Sequence, residues 1–336
     1  MQHSNIHLTA TEISNLWSTY MSDSMAVCVL KYFIAKVKDP DIKPILEQSL
    51  MISQRHLQTI SQIFIQEGYA IPQGFTDQDL NLQAAPLFFD SLYLHYIKQM
   101  GRVGINAYGL ALTLSVRDDI VQFFDLALKE STALDQQVSK VLLAKGIFIR
   151  SPYLNGLKEI TFVQDSNFLD GIFGVHRPLL AVEVTHLYGN IRTASLTQAI
   201  AIGFSQAATS KDVTKFIMKC RDLMSKHMAT LGHKLRESHL KVPMTWNDAV
   251  TDSIESPFSE KLLMFHMNAT LAVSLGDYGA SLAGSIRKDL GMMYALLMTE
   301  LATLAEEGAK MMIKHGWMET PPMVTDRDYL ASVNKS

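Results

Sequence analysis

The chain has 336 residues, 48% of them hydrophobic and 19% charged, with a net charge of −3. This length is long for one core and suits two domains of about 150 to 170 residues. The weakly negative balance offers no positive field for phosphates, so nucleic acid is not an expected partner, and no apolar run approaches the roughly 20 residues that span a bilayer.

Cys28 and Cys220 are the only cysteines. Two lone thiols in a chain of this size read as small buried apolar residues in a reducing compartment. Residues 1–20 are mixed and polar rather than basic and then apolar, so no secretory leader is expected. The expected location is the cytoplasm.

Thr9 and Glu12 have the Ser/Thr-x-x-Glu spacing of a capping box and open a helix expected over 9–37. Leu16, Trp17, Tyr20, Val27, Leu30 and Ile34 recur on one face of it. Asp39 reads as the N-cap of a second helix with Pro40 at its first position, running to Glu67 and ended by Gly68. His56 shares that helix's buried face with Ile45, Ile52, Ile60 and Ile63. Residues 68–86 are long enough to cross the height of a bundle. A third helix is expected over 87–114, with Gly101, Gly104 and Gly109 marking close contact or a break. Ser115 reads as the N-cap of a fourth helix over 118–145, closed by Gly146 and followed by Pro152. Residues 151–178 lack periodicity and read as a linker.

The second half repeats the first. Adding 171 carries Glu12, Asp41, His56, Pro72, Asp77, Pro86 and His95 onto Glu183, Asp212, His227, Pro243, Asp248, Pro257 and His266. Adding 170 carries Tyr108, Arg117, Glu130 and Gly146 onto Tyr278, Arg287, Glu300 and Gly316. One small gap over so long a match indicates internal duplication. The expected class is all-α, as two tandem ferritin-like four-helix bundles at 1–150 and 179–336 with the linker at 151–178. Apolar surface left on each bundle should bring the two together.

Three segments carry a family resemblance. They are the opening Glu12 to Phe33, the stretch Pro243 to Ser253, and above all Tyr278 to Pro322 with its ending GAKMMIKHGWMETPP. The sequence resembles an uncharacterised tandem ferritin-like family of spore-forming bacilli, related in its repeat unit to spore coat protein F. The resemblance implies the fold and an association with sporulation or the spore surface. It supplies no catalytic residue.

A di-iron centre of the ferritin-like kind needs Glu-x-x-His on two helices. Ser53 and Met224 stand three residues before His56 and His227, and Ala133 and Thr303 three after Glu130 and Glu300, so that pattern is missing. One Glu or His remains on each helix: Glu183, His227, His266 and Glu300 in the second half, and Glu12, His56, His95 and Glu130 in the first. Imidazole with carboxylate suits a single Fe, Zn or Mn ion. The second half is the stronger candidate, because Leu180 replaces Thr9 and leaves Glu183 without a capping role. At 1.5 Å per residue His227 and Glu300 are level, whereas His266 lies nearer one end. The competing reading is a structural polar network, with ion pairs Glu12–Arg117 and Glu183–Arg287 and with His56 and His227 buried. His3, His7 and His315 are expected at the surface. No catalytic motif is present: Gly279-Ala280-Ser281 lacks the nucleophile-elbow pattern. The favoured function is therefore a non-enzymatic structural or interaction protein of the spore, with protein partners or self-association. Metal binding is the alternative.

Overall fold

The structure is a computed structural model that describes residues 6–171 and 177–333. Eight long helices carry the fold: α1 (Ala10–Lys36), α2 (Lys43–Glu67), α3 (Asp90–Leu114), α4 (Asp118–Ala144), α5 (Ala181–Ala207), α6 (Lys211–Glu237), α7 (Glu260–Gly284) and α8 (Lys288–Lys314). A short exposed helix, α9 (Arg327–Val333), follows near the end. Among the described residues there is no strand. In each half a short turn makes a hairpin of the first two helices and another of the last two, and a long connection crosses between the hairpins.

Helix ends follow local chemistry, with three departures from expectation. α1 opens on the capping box, with Thr9 accepting from Glu12 N–H and Glu12 accepting from Thr9 N–H. α2 begins at Lys43 rather than Asp41, because Asp39 closes a turn onto Asp41 N–H and Pro44 takes the first-turn position. α3 begins at Asp90, since Phe88 and Phe89 bond to the other half. Ser115 ends α3 instead of capping α4: its hydroxyl donates to Ala111 C=O, and Arg117 takes the N-cap position. Gly68, Gly146 and Gly316 end their helices at positive φ, where a Cβ is costly.

The two halves pack into one shared apolar core. Met21, Leu30 and Phe33 from the first half belong to the same cluster as Ile191, Ile200, Phe204 and Leu271 from the second. The crossing connections pair across the interface, Leu80 with Phe258 and Phe88 with Val250. Adding 170 to either pair gives the other, so a pseudo-two-fold axis relates the halves. The single-residue deletion therefore falls in the crossing connection, near Phe75 and Thr76. That moves the register of α3 onto α7 by one residue. Asp90 maps onto Glu260, Tyr96 onto His266, and His95 onto Phe265. His95 and His266 are not equivalents, in correction of the sequence register.

The glycines of α3 divide. A Cβ on Gly101 would sit 3.2 Å from Asp135 Cβ, and one on Gly104 would sit 2.5 Å from Ser131 Oγ, so α3 and α4 approach closely there. A Cβ on Gly109 would meet nothing within 4 Å. The linker residues Tyr153, Leu157, Ile160 and Phe162 are exposed, with a short 3-10 turn at Ser166–Leu169. Gly174, His176 and His3 lie outside the described residues.

Candidate functional site

Each half holds one histidine against one glutamate at mid-height, on its second and fourth helices. In the second half both ring nitrogens of His227 are engaged. Nε2 lies 3.0 Å from Glu300 Oε2, and Nδ1 lies 3.2 Å from the Tyr278 hydroxyl. Lys226 donates to the other Glu300 oxygen at 2.5 Å. Burial pushes the His227 pKa down, and its bond to Glu300 only partly offsets this. Glu300 is also lowered: burial would raise it, but Lys226 and His227 outweigh that. A neutral imidazole then donates from Nε2 to the carboxylate and accepts the Tyr278 proton at Nδ1. Every polar atom of the His227 ring is satisfied.

The first half builds the same position differently. Asp23, on α1, accepts from His56 Nδ1 at 2.9 Å and from the Ser53 hydroxyl at 2.8 Å. His56 Nε2 faces Glu130 Oε2 at 3.4 Å, and Arg55 pairs with the same carboxylate. Burial disfavours the charged ring, but the bond and charge of Asp23, with Glu130 behind, prevail and raise the His56 pKa. His56 thus lies between two carboxylates that favour its protonated form. Asp23 has Ala194 as its counterpart, so comparison of the repeats offers no matching pair to reveal it. The residue was legible only as a carboxylate among Met21, Met25 and Cys28, all buried.

The remaining candidates lie elsewhere. Glu12 is buried at one end of its half, where it bonds Thr9 N–H and also the backbone N–H groups of Val116 and Arg117 at 3.0 Å. Burial would raise its pKa, but these backbone donors hold it at about 2. The expected ion pair to the Arg117 side chain is corrected: that guanidinium turns to Asp119 and Glu67. Glu183 likewise pairs with Arg177 at 2.7 and 2.8 Å rather than with Arg287, which binds Asp289. Glu183 also accepts from Leu180 N–H at 2.8 Å. It caps the helix through the backbone without Thr9's hydroxyl, so its supposed lack of a capping role fails as an argument for a metal.

His95 and His266 sit between the halves. His95 stacks on Trp246 at 3.6 Å, and its pseudo-two-fold mate Phe265 packs against Phe75 at 4.9 Å. His266 Nε2 lies 2.9 Å from the Tyr96 hydroxyl, so two equivalent positions meet across the axis. Burial holds His266 neutral, its pKa pushed down to about 4, and burial with nearby Arg192 takes His95 to about 3. The structure thus brings together His227 with Glu300 and His56 with Glu130. Glu183 and His266 do not join the first pair, nor Glu12 and His95 the second. Among the described residues no three His, Cys, Asp or Glu side chains converge as metal ligands. Around His56 the reason is plain: its two carboxylates hold opposite ring nitrogens and flank the imidazole instead of sharing a centre with it.

Cys28 and Cys220 are both buried free thiols, and burial pushes Cys28 up to about 12, far from a reactive thiolate. No described helix is long and apolar enough to cross a membrane. His7 and His315 are exposed.

The fold and these paired polar centres define an all-α protein of two repeated four-helix halves. The chain belongs to the family described as protein of unknown function (DUF3231), whose model matches residues 1–160 and again 167–330. No curated protein matches it. Among solved structures it is similar to a candidate spore coat protein from Bacillus halodurans, at 18% identity and a TM-score of 0.40, covering 45% of this chain and 98% of that one.

Proposed function

We propose that the chain is a non-enzymatic structural or interaction protein of the spore, built as two ferritin-like bundles at 1–150 and 179–336 joined through 151–178. The observation that carries this reading is how the halves use their interior polar groups. His227 gives both nitrogens to Tyr278 and Glu300, Asp23 and Glu130 flank His56, and Glu12 and Glu183 cap helices. These are the roles of a polar network that fixes one packing arrangement. The spore assignment is supported by the sequence resemblance of Glu12 to Phe33 and Tyr278 to Pro322.

Two measurements test the reading. After reconstitution with Fe(II), Zn(II) or Mn(II), elemental analysis should find less than about a tenth of an equivalent bound, since a built site retains its ion. A stoichiometric ion whose binding raises the melting temperature, and which is lost in His227→Ala/Glu300→Ala, would establish the metal-binding alternative. In the source organism, the coat extract of purified spores should contain the chain. Recovery from vegetative cytosol alone would remove the spore assignment.

A further inference from the structure

A cavity of about 400 Å³ lies where α1 and α3 stand apart, and it continues to the facing surfaces of α5 and α7. Its size falls within the range of about 300–1,000 Å³ usual for small-molecule sites. The inner wall carries Asp23, Ser53, His56 and Tyr108, and the body is mainly apolar, with Met25, Met100, Leu134, Leu196 and Ile200. Ser18, Ser22, Ala107 and Ala272 are exposed and form its lip.

The duplication shows that this space is specified by the sequence. Ser53 and Ser131 stand where the second half has Met224 and Leu301, both fully buried, and Ser49 stands where it has Cys220. The consequence reaches the core. Leu16, Ile60, Phe64, Ile120 and Phe124 form a separate cluster in the first half, whereas the second half's apolar residues run unbroken into the shared core. Protein interiors rarely leave voids larger than a water molecule, so retained small residues around a cavity of this size sacrifice packing.

Polar groups at the wall await a partner. His266 lines the cavity, is 3% exposed, and its Nδ1 has no hydrogen bond. Tyr108 has no hydrogen bond to its hydroxyl among the described residues, whereas its counterpart Tyr278 engages His227. Asp23 is the one carboxylate in the lining and is already engaged by His56 and Ser53, and no lysine or arginine lines the cavity, so the wall favours neither an anion nor a cation. A mainly apolar body with unused hydrogen-bonding groups on its wall selects a neutral amphiphile.

We propose that this first-half cavity is a binding site for an uncharged, mainly apolar small molecule bearing a hydrogen-bonding group. This goes beyond the structural reading above and does not depend on it.

The probes that test it are N-phenyl-1-naphthylamine, which is uncharged, and 1-anilinonaphthalene-8-sulfonate, nearly the same molecule with one negative charge. Fluorescence titration of the full chain should show saturable binding of the uncharged probe at about one equivalent, and at least about tenfold weaker binding of the sulfonate. Ser131→Leu, which installs the second half's residue, and Ser22→Trp, on the exposed lip, should each weaken the uncharged probe at least about tenfold. Circular dichroism checks that each variant remains helical, and Ser22→Trp alone decides the matter if Ser131→Leu does not fold. Absence of saturable binding, or a loss smaller than tenfold in the folded variants, overturns the site. Equal binding of the two probes overturns the uncharged class.

Discussion

The first and second halves keep the same histidine and glutamate at mid-height but surround them differently. In the first, Asp23 claims His56 Nδ1 and raises the ring's pKa. In the second, Ala194 replaces Asp23, the Tyr278 hydroxyl takes the freed Nδ1 site, and His227 stays neutral. One carboxylate therefore reverses the direction in which a buried histidine's pKa moves, on the same helical frame. The same region of the first half is also looser, with Ser53 and Ser131 where the second half has Met224 and Leu301. The second half has become a filled core, and the first keeps charge and space together.

The largest effect should come from the residue that creates the difference. Asp23→Ala removes one partner of a buried ion pair and should cost about 3 kcal/mol in denaturant unfolding. It should also turn His56 toward the neutral behaviour of His227. A loss below about 1 kcal/mol would mean that Asp23 is not paired as described. Next in size, His227→Leu strands the Tyr278 hydroxyl and a glutamate still paired with Lys226, at about 2 kcal/mol. Full tolerance would reduce His227 to core filling.

The hydroxyls sharpen the contrast further. Tyr278→Phe removes a hydrogen bond to a buried ring and should cost about 1 kcal/mol, while Tyr108→Phe should change stability by no more than about 0.5 kcal/mol. Equal losses would contradict the different use of the two tyrosines.

Stability against pH follows the same division. His95, His227 and His266 have folded pKa values below the unfolded value of roughly 6.5. Their contribution is full above that value and is lost as pH falls toward the folded values of about 3 and about 4 for His95 and His266. His56 has the opposite sign: its contribution is complete below roughly pH 6.5 and is lost as pH rises through its raised folded value. Chemical denaturation across pH 4 to 8 should therefore show a loss of stability as pH rises above roughly 6.5 in the wild type that is absent in Asp23→Ala, because the His56 contribution is gone. An unchanged slope would contradict the assignment.

Much of this was legible in the sequence. The three- and four-residue spacing of apolar side chains gave eight helices, and the rise per residue placed His227 and Glu300 at one level, where they meet at 3.0 Å. The Thr9–Glu12 capping box was explicit. What failed did so for physical reasons. Matching Asp77, Pro86 and His95 to Asp248, Pro257 and His266 kept an offset of 171, one more than the 170 that the inter-half pairing sets there, because identities in a loop outweighed that register. Glu183 lacked a threonine partner, yet capping used the backbone of Leu180 and an arginine six residues upstream. Asp23 was hidden because its role arises from α2 and α4, which no spacing within α1 reveals. The cavity was hidden as well, because Ser53 and Ser131 lie on different helices and only the packing of α2 and α4 shows the space they leave.

The most direct test of the central contrast is a proton titration of the histidine rings by NMR, assigned with His56→Gln and His227→Gln. His56 should titrate above the ordinary value of roughly 6.5 and His227 below it, in the same molecule. Two rings titrating together near roughly 6.5, or in the reverse order, would contradict the account.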